Sequence, residues 1–268
     1  MRLTTRQSHM DRDFRQGYID IDFHTERFES ATRLLLRSAV LFFSNLPFLA
    51  AVTLVVFVPG KLALQLGCYV MDVPAGGILS YFLMDLSDLI LGALVVPAAI
   101  YGLVEKLRSG RTPPLRECLR WGWRQWAKML GYNLVVEITV ALSGALLVVP
   151  GLVAMVRLVF TEAIVAIEAD REQHVLSRSS GLSRGHRWRI FFVLLPMMVV
   201  DLAGTFLVLG RLEGLTQSRV ALALGDSLFS VGGQWTTAIV LLLYLGVTDL
   251  PKPAPARQKT GGRPAGTR

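Results

Sequence analysis

Cysteine and histidine are scarce in this chain of 268 residues, which holds two of the first and four of the second. Cys68 and Cys118 are expected on opposite sides of a membrane, which excludes a disulfide between them. His9, His24, His174 and His186 are scattered without the spacing of metal ligands, so no metal site is expected. No glycine-rich phosphate loop is present either, and the GHRW run at Gly185 to Trp188 reads as a helix cap followed by an interfacial anchor. Charge is also sparse. Only 18% of the residues are charged, against 52% hydrophobic and a mean hydropathy of +0.47, which is too apolar for an ordinary soluble surface. The net charge of +8 does not point to nucleic acid, because the cations lie between apolar runs instead of forming one basic domain.

What the chain does have is long apolar stretches. Six are expected to span a membrane, at about 39–58, 78–104, 130–149, 152–167, 190–210 and 227–247. The first is twenty residues without a charge, matching a hydrocarbon core about 30 Å thick at about 1.5 Å per residue, and Pro59-Gly60 is expected to end it. The chain turns between the third and fourth spans at Pro150-Gly151. The expected fold is therefore all-α, a polytopic transmembrane helical bundle of six spans with cytoplasmic interfacial helices. Residues 1–38 form a cytoplasmic region ending in an amphipathic helix that runs into the first span, 39–248 the membrane domain, and 249–268 a disordered basic cytoplasmic tail.

Counting Lys and Arg sets the orientation. The N-terminal region, the loop after the second span, the elbow around 168–189 and the tail hold 24; the three opposite loops hold 3, one of them Lys61. Both termini are therefore expected in the cytoplasm, with an even number of spans. Within the second loop Arg116, Arg120, Arg124 and Lys128 recur every four residues beside Trp121, Trp123 and Trp126, which predicts a helix lying in the interface with its cations toward anionic headgroups. Asp170 and Gln173 resemble a capping box for an elbow helix of about 171–184, ended by Gly185, with Val175, Leu176, Ser179 and Leu182 toward the membrane.

Six ionisable residues fall inside the expected spans: Asp85, Asp88, Glu137, Arg157, Glu162 and Asp201. Counted from the span ends, Asp88, Arg157 and Asp201 each lie about 15 to 18 Å deep, so they could meet near the midplane. Such charges usually face a bundle interior or a water-filled cavity, and they serve either as a structural ion pair or as a substrate or proton path. Glu137 and Glu162 lie nearer the cytoplasmic end, within reach of water or of the elbow's arginines.

The run LVVPGLVAMVRLVF, continuing through Glu168 to VLSRSSGLSRGHRWRIFF, resembles the pattern of the glycerophosphoryl diester phosphodiesterase membrane-domain family and its YciC-like relatives, bacterial six-span proteins. The matching positions are Pro150, Gly151, Arg157, Glu168, Arg178, Ser179, Leu182, Gly185, Trp188 and Ile190, over roughly residues 115 to 195. The resemblance implies the six-span fold. It implies no catalysis, since a phosphodiesterase barrel is not part of this sequence and the membrane part carries no established activity. The expected function is thus a non-catalytic integral membrane protein, without a cofactor, organising its membrane or binding a membrane-protein partner while contacting anionic lipid. The alternative is a small transporter or proton-coupled permease using Asp88, Arg157 and Asp201.

Overall fold

A computed structural model describes residues 31–74, 77–168, 174–204 and 219–248. Among these the chain is all-α: α1 (Ala31–Ser44), α2 (Leu46–Val70), α3 (Ile78–Ser109), α4 (Leu115–Leu146), α5 (Val148–Leu158), α6 (Thr161–Glu168), α7 (Val175–Leu182), α8 (Arg187–Gly204) and α9 (Arg219–Thr248). Five stretches are long and apolar enough to cross a membrane: α2, α3, α4, α5 continued by α6, and α9. The chain is a multi-pass membrane protein. The expected fifth span coincides in part with α8, which carries Arg187, Arg189 and Asp201 over its 18 residues; 205–210 lie outside the described residues, as do 1–30 and the tail from 249.

The expected first span proves to be parts of two helices. The chain breaks at Asn45, whose side-chain amide donates to the Leu41 carbonyl at 2.7 Å, and Pro47 then sits in the first turn of α2, where no backbone donor is needed. Pro59-Gly60 does not end α2, which continues to Val70. A proline inside a membrane helix frees only local backbone groups, and packing holds the helix on either side. Gly60 serves that packing: a Cβ there would lie 2.8 Å from Leu91 Cδ1 of α3.

The second helix pair corrects another expectation. Residues 115–129 do not form a separate interfacial helix; they are the first half of α4, 32 residues without a break. Gly110, at φ 71, caps α3 by donating to the Lys106 carbonyl, and extended Pro114 starts α4. The two helices then run antiparallel in close contact. A Cβ on Gly122 would stand 2.4 Å from the Leu94 carbonyl oxygen, and one on Gly102 would stand 2.1 Å from Phe48 Cζ of α2. In lipid there is no hydrophobic drive between helices, so small residues that let backbones approach supply the association.

Likewise the turn after α4 falls at Leu147, with φ −159 and ψ 142, and not at Pro150-Gly151. Pro150 occupies the first turn of α5, and Gly151 allows α5 to fold back on α4, since its Cβ would meet Gly144 Cα at 2.8 Å. The elbow helix also faces inward. Val175 and Ser179 of α7 are buried and Leu182 packs on the core, whereas the sequence pattern placed them toward lipid.

Contacts define two ends of the bundle. α2 begins, α3 ends and α9 ends at what is here called the near end; α2 ends, α3 begins and α9 begins at the far end. The core is concentrated in the near half, around Ala98 to Val104 of α3, with Phe160 to Ile167 and Ala238 to Leu245 packed about it. Exposed apolar side chains gather mainly in the far half, including Leu66 and Tyr69 of α2, Ile78 and Phe82 of α3, Leu142 of α4 and Leu228 of α9.

Candidate functional site

Lys61 is the centre of the most unusual constellation. Its Nζ lies 2.6 Å from Asp88 Oδ1 and 2.5 Å from Asp226 Oδ2, so one ammonium from α2 joins carboxylates from α3 and α9. The Lys61 side chain is 1% exposed and that of Asp226 6%, whereas Asp88 keeps 43% of its side chain at the bundle surface. The three residues stand seven to ten residues from the far ends of their helices, about 10 to 15 Å along the axis. Phe57, one turn nearer the core, places its ring centroid 6.0 Å from Nζ.

The polar lining continues toward the near end. α2 and α9 are antiparallel, as the Arg219 contacts with the Val73 carbonyl at 2.8 Å and the Tyr69 ring at 5.8 Å require. Thr53 is eight residues from Lys61, and Gln234 eight from Asp226 in the same direction, so the two lie level about 12 Å below the ion pair. Both are buried, and neither Thr53 Oγ1 nor Gln234 Oε1 has a hydrogen-bond partner among the described residues.

Of the intramembrane charges expected from the sequence, Asp88 therefore meets Lys61 and Asp226, not Arg157. Asp85 is exposed three residues before it on α3. Arg157, also exposed, donates through Nε to Ser180 Oγ at 3.1 Å, on the elbow helix. Glu162 accepts from Asn133 Nδ2 at 3.3 Å, tying α6 to α4, and Glu137 is exposed on α4. Asp201 lies on α8, with its side chain outside the described residues.

Lys61 and Asp226 do not stand out in the sequence because Pro59-Gly60 and the approach to α9 have the composition of loops. A signal was available. Thr53, Phe57, Lys61 and Gln65 recur at four-residue steps straight through Pro59-Gly60, and Asp226, Ser230, Gln234 and Thr237 follow steps of four, four and three. Each set is one helical face.

The elbow forms a second polar cluster. Glu168 Oε1 accepts from Arg178 Nη2 at 2.6 Å and also from the Tyr244 hydroxyl, joining the end of α6 to α7 and α9. Ser179, fully buried, donates to the Arg157 carbonyl at 3.0 Å and accepts from the Phe160 amide at 3.2 Å, which fixes α7 against the break between α5 and α6. Gly185, at φ 90, closes the elbow in a conformation natural to glycine. Of the motif positions Glu168, Arg178, Ser179, Leu182 and Gly185, the fold joins Glu168 to Arg178 and sets Ser179 against the break between α5 and α6.

The cation row is also laid out as the spacing implied. Arg116, Arg120, Arg124 and Lys128 are all exposed along one side of α4. Trp123, 67% exposed, stacks on Trp126 at 5.6 Å, and Trp126 Nε1 donates to the Ile90 carbonyl at 3.0 Å. Trp121 is turned inward, donating to the Ala166 carbonyl at 3.2 Å. The row stands upright against α3 from about the level of Ile90 to the near end. Cys68 and Cys118 are free and buried, and no group of His, Cys, Asp and Glu that could hold a metal occurs among the described residues. Comparisons with protein-family models, curated proteins and solved structures find no match to the chain.

Proposed function

We propose that this protein is a non-catalytic integral membrane module that organises its surroundings by holding anionic lipid headgroups along α4. The supporting observation is the exposed row Arg116, Arg120, Arg124 and Lys128, with the exposed Trp123 beside it. Four cations at one helical pitch, next to an aromatic ring suited to the headgroup region, form a surface for phosphates, while the far half offers apolar side chains to acyl tails. In this reading the near end is cytoplasmic and both termini lie there, as the distribution of Lys and Arg implies, and the membrane is the bacterial inner membrane, as the family resemblance implies. The likeness to the glycerophosphoryl diester phosphodiesterase membrane-domain family and its YciC-like relatives is part of the same proposal, and the closed elbow of Glu168, Arg178 and Ser179 supports it. A membrane-protein partner is a further component of the reading.

The test uses the purified chain in nanodiscs of neutral lipid doped with phosphatidylglycerol. Replacing all four cations by Gln should weaken recruitment of the anionic lipid by about 1 kcal/mol per residue, and added salt should mimic the loss. Equal lipid composition around the parent and the fourfold variant would overturn the reading. A transporter or proton-coupled permease is the second reading, favoured by one observation: the buried ammonium of Lys61 between two carboxylates.

A further inference from the structure

We propose that Lys61, Asp88 and Asp226 form a proton-binding site inside the bundle, with Asp88 as the residue that takes up and releases the proton. The proposal is independent of lipid binding along α4. It starts from charge. One ammonium between two ionised carboxylates leaves a net charge of −1 among apolar helices, and an uncompensated charge there is expensive. One added proton brings the site to neutrality.

Exposure decides where that proton goes. Asp226 is enclosed, with Lys61 Nζ 2.5 Å from its Oδ2, so it serves as the fixed counter-ion. Asp88 has one oxygen buried against Lys61 yet keeps 43% of its side chain open, so its other oxygen is the one that reaches the surroundings. The charged groups facing Asp88 are Lys61 from α2, Asp226 from α9 and Asp85 from α3 itself; from α4 its nearest neighbour in level is Trp126, bonded to the Ile90 carbonyl. Two of those three charges are negative, so the arrangement attracts a proton instead of a further anion.

The step balances simply. One O–H bond of hydronium breaks, releasing water, as an O–H bond forms on the Asp88 carboxylate; Lys61 takes no part in the transfer. The tie between α2 and α3 changes from an ion pair to a hydrogen bond between Lys61 and a neutral acid, while the ion pair between α2 and α9 remains. Proton occupancy thereby acts on one helix contact and leaves the other alone.

The experiment is acid-minus-alkaline infrared difference spectroscopy on the full chain in neutral-lipid nanodiscs, with the aspartate carboxyls isotopically labelled. The wild type should show a labelled carboxylic C=O component that disappears in Asp88→Asn, persists in Asp85→Asn and in Asp72→Asn, a change at an exposed residue between α2 and α3, and changes frequency in Lys61→Gln. Should Asp88→Asn fail to fold, Asp88→Glu keeps the charge but carries no label, and the component must again vanish. The proposal is overturned if no labelled component is lost in either Asp88 variant, or if the lost component is unaffected by Lys61→Gln.

Discussion

Lys61 and Asp226 lie 2.5 Å apart across two antiparallel helices, and both are shut away from the surface. An ion pair in this setting contributes little net stability, but removing one partner strands the other. Lys61→Met strands the enclosed Asp226 carboxylate beside the partly exposed Asp88 and should destabilise the protein by about 3 to 5 kcal/mol. In the Lys61→Met, Asp226→Asn double variant the loss should fall short of the sum by roughly 0.5 to 3 kcal/mol. Denaturant titration in detergent measures both, and strict additivity would refute the coupling.

Gly122 lies so close to the Leu94 carbonyl that no side-chain rotation can relieve an added Cβ. Gly122→Ala should therefore cost about 1 to 3 kcal/mol, the range for overpacking. Gly232, on α9, has open space around the same position, and Gly232→Ala should stay within about 0.5 kcal/mol of the parent or stabilise it. Similar thermal shifts for the two variants would mean that α3 and α4 do not meet at this point.

Glu168 joins three helices through Arg178 and Tyr244. Glu168→Gln retains the shape but replaces the ion pair by a weaker hydrogen bond from the Arg178 guanidinium to an uncharged amide oxygen. Amide exchange in 175–182 should quicken, while exchange in 93–104 should not change. Quickening of both to the same degree would show that the elbow is not a separately held unit.

Reporter fusions check orientation. Insertions at Met71 and at Leu147 should report the outside, and those at Ser109 and after Thr248 the inside, as the 24-to-3 split of cations requires. An exported C-terminus would refute the proposed topology.

Much of the architecture was legible because apolar length is a strong signal, and the far half of the bundle displays that length to lipid. Boundaries were less legible for a single reason. Pro59-Gly60 and Pro150-Gly151 read as turns by the rules of soluble chains, yet here both pairs lie inside helices, where Gly60 and Gly151 admit a neighbouring helix. The same misreading hid Lys61, since a lone cation after Pro-Gly looks like loop. Arg157 and Asp88 seemed paired because depth was estimated along each helix separately; which faces meet is decided by packing, and Arg157 turns to Ser180. The α4 row and the elbow were legible because each is local, set by spacing within one helix or by a short motif.

The placement of Lys61 also bears on how the chain is made. Asp226 is synthesised 138 residues after Asp88, so Lys61 and Asp88 both exist before the second carboxylate does. At about 5 to 20 residues per second that gap lasts about 7 to 28 s. During it Asp88 is the one carboxylate of the triad that Lys61 can meet. α9 then supplies the second carboxylate, and the ion triad closes only when α9 packs against α2.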